Sequence, residues 1–319
     1  METSELIKKV RKIEIKTKGL SNHIFSGEYH SAFKGRGMSF SEVREYSYGD
    51  DIKAIDWNVT ARFNTPYVKI FEEERELTVM LLVDISPSAF FGTANQMKNE
   101  MITEICAVLA FSAINNNDKV GVIFFSDKIE KFVPPKKGKA HVLRIIRELI
   151  EVGYSDEGLK ESKTKESAFQ QIKSLFQAKS KKETVTSKTD IELALKYFGN
   201  VIKKKCIAFL LSDFIDDRYE KSLNIVGRKH DLVGIRIYDP REQELPSVGL
   251  IRVKDAETGR TIWLDTANKA EMKRYKVNYL KNQDNCKQFF SRSGADLISI
   301  PTNRPYVKYL MNFFKKRGN

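Results

Sequence analysis

The chain has few of the residues on which covalent staples and soft-metal sites depend. Its 319 residues include 3 cysteines, Cys106, Cys206 and Cys286, with no CxxC pair among them. An odd, scattered set in apolar or amphipathic surroundings excludes a disulfide framework. The 4 histidines, His23, His30, His141 and His230, have no zinc-motif spacing. Any metal is therefore expected to be a hard ion held by oxygens. No apolar run approaches the roughly 20 residues of a membrane span. The longest, Leu77 to Ile85, is short and contains Asp84. The opening Met-Glu-Thr-Ser-Glu has neither the basic start nor the apolar stretch of a signal peptide. The expected location is cytoplasmic, peripheral to a membrane only through a partner. No Ser-His-Asp or Cys-His set and no phosphate-cradling glycine loop supports an enzyme.

Charge is abundant. Residues are 41% hydrophobic and 30% charged, a globular balance in a chain long enough to bury a sizeable core. The net charge of +13 is uneven. From Thr266 to Asn319 there are 12 Lys/Arg against 3 acids, whereas residues 1–75 carry 13 against 12. A basic C-terminal surface could meet nucleic acid, an anionic membrane face or an acidic protein, or simply be a solvated helix face. Tyr275, Tyr279, Phe289 and Phe290 lie among these lysines, but they fit the core face of an amphipathic helix and no nucleic-acid motif accompanies them. A basic nucleic-acid-binding protein is thus a minor alternative.

Apolar periodicity predicts alternating strands and helices from residue 77 onward. Buried strands are expected at Leu77–Val83, Val120–Phe125, Cys206–Leu211 and Asp231–Ile237, and a shorter one at Asp296–Ile300. Helices are expected over Asn99–Ile114, Lys139–Ile150, Asp190–Phe198, Arg218–Val226, Ala270–Phe290 and Pro305–Lys316. Such alternation means βα units and a mostly parallel sheet. Polar residues 154–188 read as a surface insertion, with a helical piece at Phe169–Phe176, and residues 249–264 as a β-hairpin about Thr258-Gly259. Upstream, Ser21–Gly37 reads as loop, the alternation of Ile55, Trp57 and Val59 as extended chain, and Tyr67–Phe71 as a strand. Residues 1–75 form an extension to a domain spanning 76–319.

Three features fall at strand ends, where an open parallel sheet binds ligands. Asp84-Ile-Ser86-Pro-Ser88 follows the first buried strand, Thr189-Asp190 begins a helix, and Ser212-Asp213-Phe214 follows the third strand. Hydroxyls from Ser86, Ser88 and Thr189 and carboxylates from Asp84 and Asp213 make an oxygen set suited to Mg²⁺, or to Mn²⁺ or Ca²⁺. Carboxylates acting through water would leave the ion electrophilic, with a position open to a partner's acidic side chain. A metal-dependent phosphohydrolase of haloacid-dehalogenase type is the enzymatic alternative. It requires a second acid two residues after the nucleophile, and that position is Ser86.

Asp84-x-Ser86-x-Ser88 with Thr189 and Asp213 resembles the metal-ion-dependent adhesion site of von Willebrand factor A domains. Arg44-Glu-Tyr46, Gly49-Asp50-Asp51, Ile55-Asp56-Trp57, Thr60-Ala61-Arg62 and Glu73-Glu74-Arg75-Glu76 resemble the signature of the domain-of-unknown-function 58 family. The turn before Thr189, Ser187-Lys188, departs from a pattern that often has glycines. The resemblance implies a Rossmann-like three-layer A-type α/β domain, with helices on both faces of the sheet, behind an N-terminal extension. It also implies a non-enzymatic adaptor working with a MoxR-type AAA+ ATPase in complex assembly or stress tolerance, and no small-molecule substrate. Arg44, Tyr46, Asp50, Asp51, Asp56, Trp57 and Arg62 are then either an ion-pair network around Trp57 that docks the extension or a surface for the ATPase.

Overall fold

The computed structural model describes residues 10, 11, 13, 14, 16, 17, 39–72, 77–90, 97–161, 189–254 and 261–318. Two compact units are present, one of residues 33–77 and a larger one that joins residues 1–32 to 78–319.

The larger unit is built on a six-stranded sheet. Its strands are β3 (Thr78–Asp84), β4 (Lys119–Phe125), β5 (Ile129–Lys136), β6 (Ile207–Ser212), β7 (Asp231–Tyr238) and β10 (Asp296–Pro301). The order is β10-β7-β6-β3-β4-β5, and every pairing is parallel except β4 with β5. β3 and β6 are nearly fully buried, which explains why they read as unbroken apolar runs rather than alternating ones. Met80, Leu82, Ile123, Phe125, Ala208 and Leu210 point to one face. There they meet α4 (Ile191–Val201), α5 (Glu220–Lys229) and α7 (Lys269–Ser293). On the opposite face lies α2 (Lys98–Asn115), packed against β3, β4 and β7, with α3 (Lys139–Glu161) against α2. α8 (Tyr306–Gly318) packs on β10. This is the three-layer α/β architecture expected from the sequence.

α2 is more deeply set than a one-faced helix. From Met101 to Ala113 every residue but Glu104 is buried, as expected of a helix apolar all round. Helical residues 10, 11, 13, 14, 16 and 17 join this unit, with ion pairs from Lys16 to Glu104 at 2.6 Å and from Glu14 to Lys139 at 2.5 Å. The edge strand β5 carries Pro134 and Pro135, which a central strand could not accommodate because proline offers no N–H to the ladder; the apolar pattern alone does not announce it.

β8 (Leu250–Lys254) and β9 (Thr261–Asp265) form the expected hairpin, and Thr258-Gly259 lies outside the described residues. α3 runs on to Glu161, so the first part of the segment read as an insertion continues a helix. Residues 162–188, including Phe169–Phe176, lie outside the description.

In the smaller unit β1 (Ser39–Glu45) pairs antiparallel with β2 (Tyr67–Glu72), with a bulge between Phe40 and Glu42. Ile55, Trp57 and Val59 do not form a strand beyond a single bridge at Ile55. The Asp56 carboxylate accepts the Asn58 and Val59 N–H groups and caps a short helix, α1 (Trp57–Phe63). Asn64, at φ 56°, ends it in the left-handed conformation.

Candidate metal centre

Chain order reverses between β3 and β6, which are adjacent and parallel. The crevice outside their C-terminal ends is where such sheets hold ligands. Asp84 is the last residue of β3 and Ser212 the last of β6, so the sequence places polar groups at this switch point.

Asp84 is 2% exposed and held at both oxygens. Oδ1 accepts the Ser86 N–H at 2.9 Å, and Oδ2 accepts the Ser212 hydroxyl at 2.5 Å. Burial, and then the charge of Asp213, push its carboxyl up to about 7, against the pull of the Ser212 and Ser86 bonds. The Ser86 and Ser88 hydroxyls, both buried, lie 3.0 Å apart. Ser212 Oγ also accepts the Phe214 N–H at 3.1 Å. Phe214 is buried at φ 57°, a costly conformation for an aromatic residue, and it sets the turn that carries Asp213. Asp213 is buried, and its Oδ1 has no donor. Thr189 is buried just before α4, where the next N–H, of Asp190, donates to the Ser126 carbonyl past the end of β4. All five expected ligand residues thus lie at one sheet edge. Among the described residues no cluster of three or more His, Cys, Asp or Glu could hold a metal, so the fit rests on hydroxyls and two carboxylates.

Lys98 is absent from the residues expected at this site. It is 1% exposed at the start of α2, 3.3 Å from Asp213 Oδ2 and 2.5 Å from Glu242 Oε1. Burial alone would lower its pKa; Asp213 and Glu242 outweigh this and hold it above the ordinary lysine value. Burial also raises Glu242, against Lys98. A lysine at a helix N-terminus, where acids are favoured, was the available signal for Lys98. For Glu242 it was Asp239-Pro240-Arg241-Glu242, a capping box at the end of β7 that opens α6 (Pro240–Gln243).

The seven residues singled out upstream do not form one network around Trp57. Arg44 and Asp50 make a two-pronged pair at 2.9 and 2.7 Å, and Asp50 also accepts the Ser47 N–H. Asp51 caps a 3-10 turn at 52–54, and Asp56 caps α1 while pairing with Lys69 at 3.4 Å. The Tyr46 N–H bonds the Pro66 carbonyl. Arg62, exposed in the last turn of α1, makes no ion pair with a described residue, and Trp57 is 67% exposed. These charges shape local turns rather than enclose the tryptophan. Glu73–Glu76 lie outside the description.

An uncharacterized protein of Mycobacterium tuberculosis is 24% identical over 99% of this chain and 91% of its own length. A protein of Mycobacterium avium, also uncharacterized, is 23% identical over 40% of this chain and 76% of its own. Among solved structures, the VWA domain of SpRpn10 is similar at 14% identity and a TM-score of 0.33, covering 75% of this chain and 95% of that one. The family model described as protein of unknown function DUF58 matches residues 42–285. The chain belongs to the DUF58 family.

Proposed function

We propose that the chain is a non-enzymatic protein-interaction module whose partner binding depends on Mg²⁺, with Mn²⁺ or Ca²⁺ as substitutes. Asp84, Ser86, Ser88, Thr189 and Asp213 would hold the ion. The observation that carries this reading is the buried Asp213 Oδ1 without a donor, beside a serine hydroxyl pair and a carboxyl that burial has pushed up to about 7. Two carboxyl groups taken out of water need compensating positive charge; Lys98 lies 3.3 Å from Asp213 Oδ2, and Asp213 Oδ1 has no donor. Hard oxygens without histidine or cysteine suit Mg²⁺. When bound, the ion would act as a Lewis acid that accepts a partner's carboxylate. Exposed Tyr48, Ile52, Trp57 and Phe63 in the smaller unit offer apolar contacts of the kind interfaces use.

By family resemblance the partner is a MoxR-type AAA+ ATPase, with the chain as its adaptor in complex assembly or stress tolerance. The test is binding of the full chain to the purified ATPase in Mg²⁺ and in EDTA, with wild type and Ser86→Ala. Binding that weakens about tenfold or more in EDTA and in the variant is expected. Binding indifferent to both changes would contradict the reading.

A further inference from the structure

A cavity of about 280 Å³ lies beside the crevice, close to the size range of small-ligand pockets. α7 lines one wall with Tyr275, Asn278, Tyr279 and Asn282, whose spacing puts them on one helix face. Arg236 and Tyr238 line it from the end of β7. Arg236 is 5% exposed. Its guanidinium lies 5.0 Å from the Tyr238 ring centroid and 5.6 Å from that of Tyr279. Nη2 donates to the Tyr279 hydroxyl at 3.0 Å and Nε to the Asp213 carbonyl at 3.4 Å, while Nη1 is buried with no acceptor.

Among the described residues, no carboxylate forms an ion pair with this guanidinium. The acids that border the cavity, Asp213 and Glu242, are both held by Lys98. Lys98 and Arg236 equal these two acids in number, but the guanidinium itself has no direct counter-ion among the described residues. A buried cation without a counter-ion is costly, and two tyrosine faces return only part of that cost. The helix beside it adds to the field: α7 carries 7 Lys/Arg and 2 acids, which draws anions to the mouth.

We propose that this cavity binds a small carboxylate of about amino-acid size, its oxygens on the Arg236 guanidinium and its body against the tyrosine rings and the Asn278 and Asn282 amides. Planar carboxylate matches the guanidinium fork. A carboxylate that takes the place of the Tyr279 phenol at Nη2 replaces a neutral bond with a charge-assisted one. The carboxylate could belong to a free acid or to an acidic side chain of a peptide. The inference makes no use of the metal.

The test is calorimetric titration of the full chain in EDTA with benzoate, N-acetylglutamate, the amide of each, and a capped glutamate-rich peptide. Binding of an acid, with its amide weaker by about tenfold or more, is the expected result. Binding of the peptide alone assigns the carboxylate to a partner segment and supports the same chemistry. Asn278→Trp, at an exposed mouth position, should abolish binding; Arg236→Met should do so too if it folds. No heat with any probe at millimolar concentration, equal binding of acid and amide, or binding that survives Asn278→Trp would overturn the proposal. Because EDTA is present throughout, failure here leaves the metal reading untouched.

Discussion

Lys98 holds a full charge at 1% exposure, in the first turn of a helix whose dipole disfavours it. Its contacts to Asp213 and Glu242 make that tolerable. Lys98→Met, which leaves both acids without their cation, should lose about 3–5 kcal/mol in EDTA, read from denaturant unfolding, and recover part of it in Mg²⁺. Loss without recovery would count against a cation at Asp213. Asp84 gives a pH dependence of definite sign. Its folded pKa, about 7, lies above the ordinary 3.8, so from pH 4 to 7 the unfolded chain ionises first and stability falls as pH rises. In EDTA, Asp84→Asn should therefore gain on wild type over that window, on the order of 4 kcal/mol; a constant gap would show that Asp84 ionises normally. His230 acts in the opposite sense. Burial, then Lys229, lowers it to about 4, and it packs 4.6 Å from the Phe198 ring. Stability is lost as pH falls from about 6.5 to 4, by roughly 3 kcal/mol, and His230→Phe should remove that loss in acid unfolding curves. The Asp-Ser-Ser motif was legible because local spacing fixes it. Lys98, Glu242 and Arg236 were not, because tertiary contacts across 115 residues and more join Lys98 to its acids, and no local pattern encodes them.

At the scale of elements, the parallel strands were legible because each is buried on both faces and so nearly continuous in apolar residues. α1 was not, because Ile55, Trp57 and Val59 alternate while the Asp56 cap decides the backbone. β5 was hidden by its prolines, which only an edge position admits. Close approach of α7 to the sheet also has a visible cause. A Cβ on Gly234 would lie 2.4 Å from the Phe290 ring, and Phe290 is itself packed edge-on against Phe214 at 5.3 Å. Gly234→Ala should cost about 1–3 kcal/mol in thermal or denaturant unfolding. Adding Phe290→Leu should recover part of that cost, since residues in contact do not add. A double variant as unstable as the sum of its parts would mean that α7 is not held off by this contact.

For the whole molecule, the alternation of strands and helices made the architecture readable, and with it the sheet edge at which folds of this kind hold ligands, since strand order then decides where chain connections diverge. The division into units was less readable. Residues 10–17 group with the larger unit through ion pairs to α2 and α3, although the sequence places them in one extension with residues 33–75. Net charge of +13 says little about function by itself; its local use at α7 beside Arg236 says more. The central claim, that the switch-point oxygens hold a divalent ion, is tested most directly by the melting temperature of the full chain, wild type and Asp84→Ala, in EDTA and in millimolar Mg²⁺. Binding to the folded state alone must raise stability, by about 2.7 kcal/mol at a hundredfold excess over Kd. The expected result is a rise of several degrees for wild type and none for the variant. No response from the wild type, or an equal response from both, would contradict it.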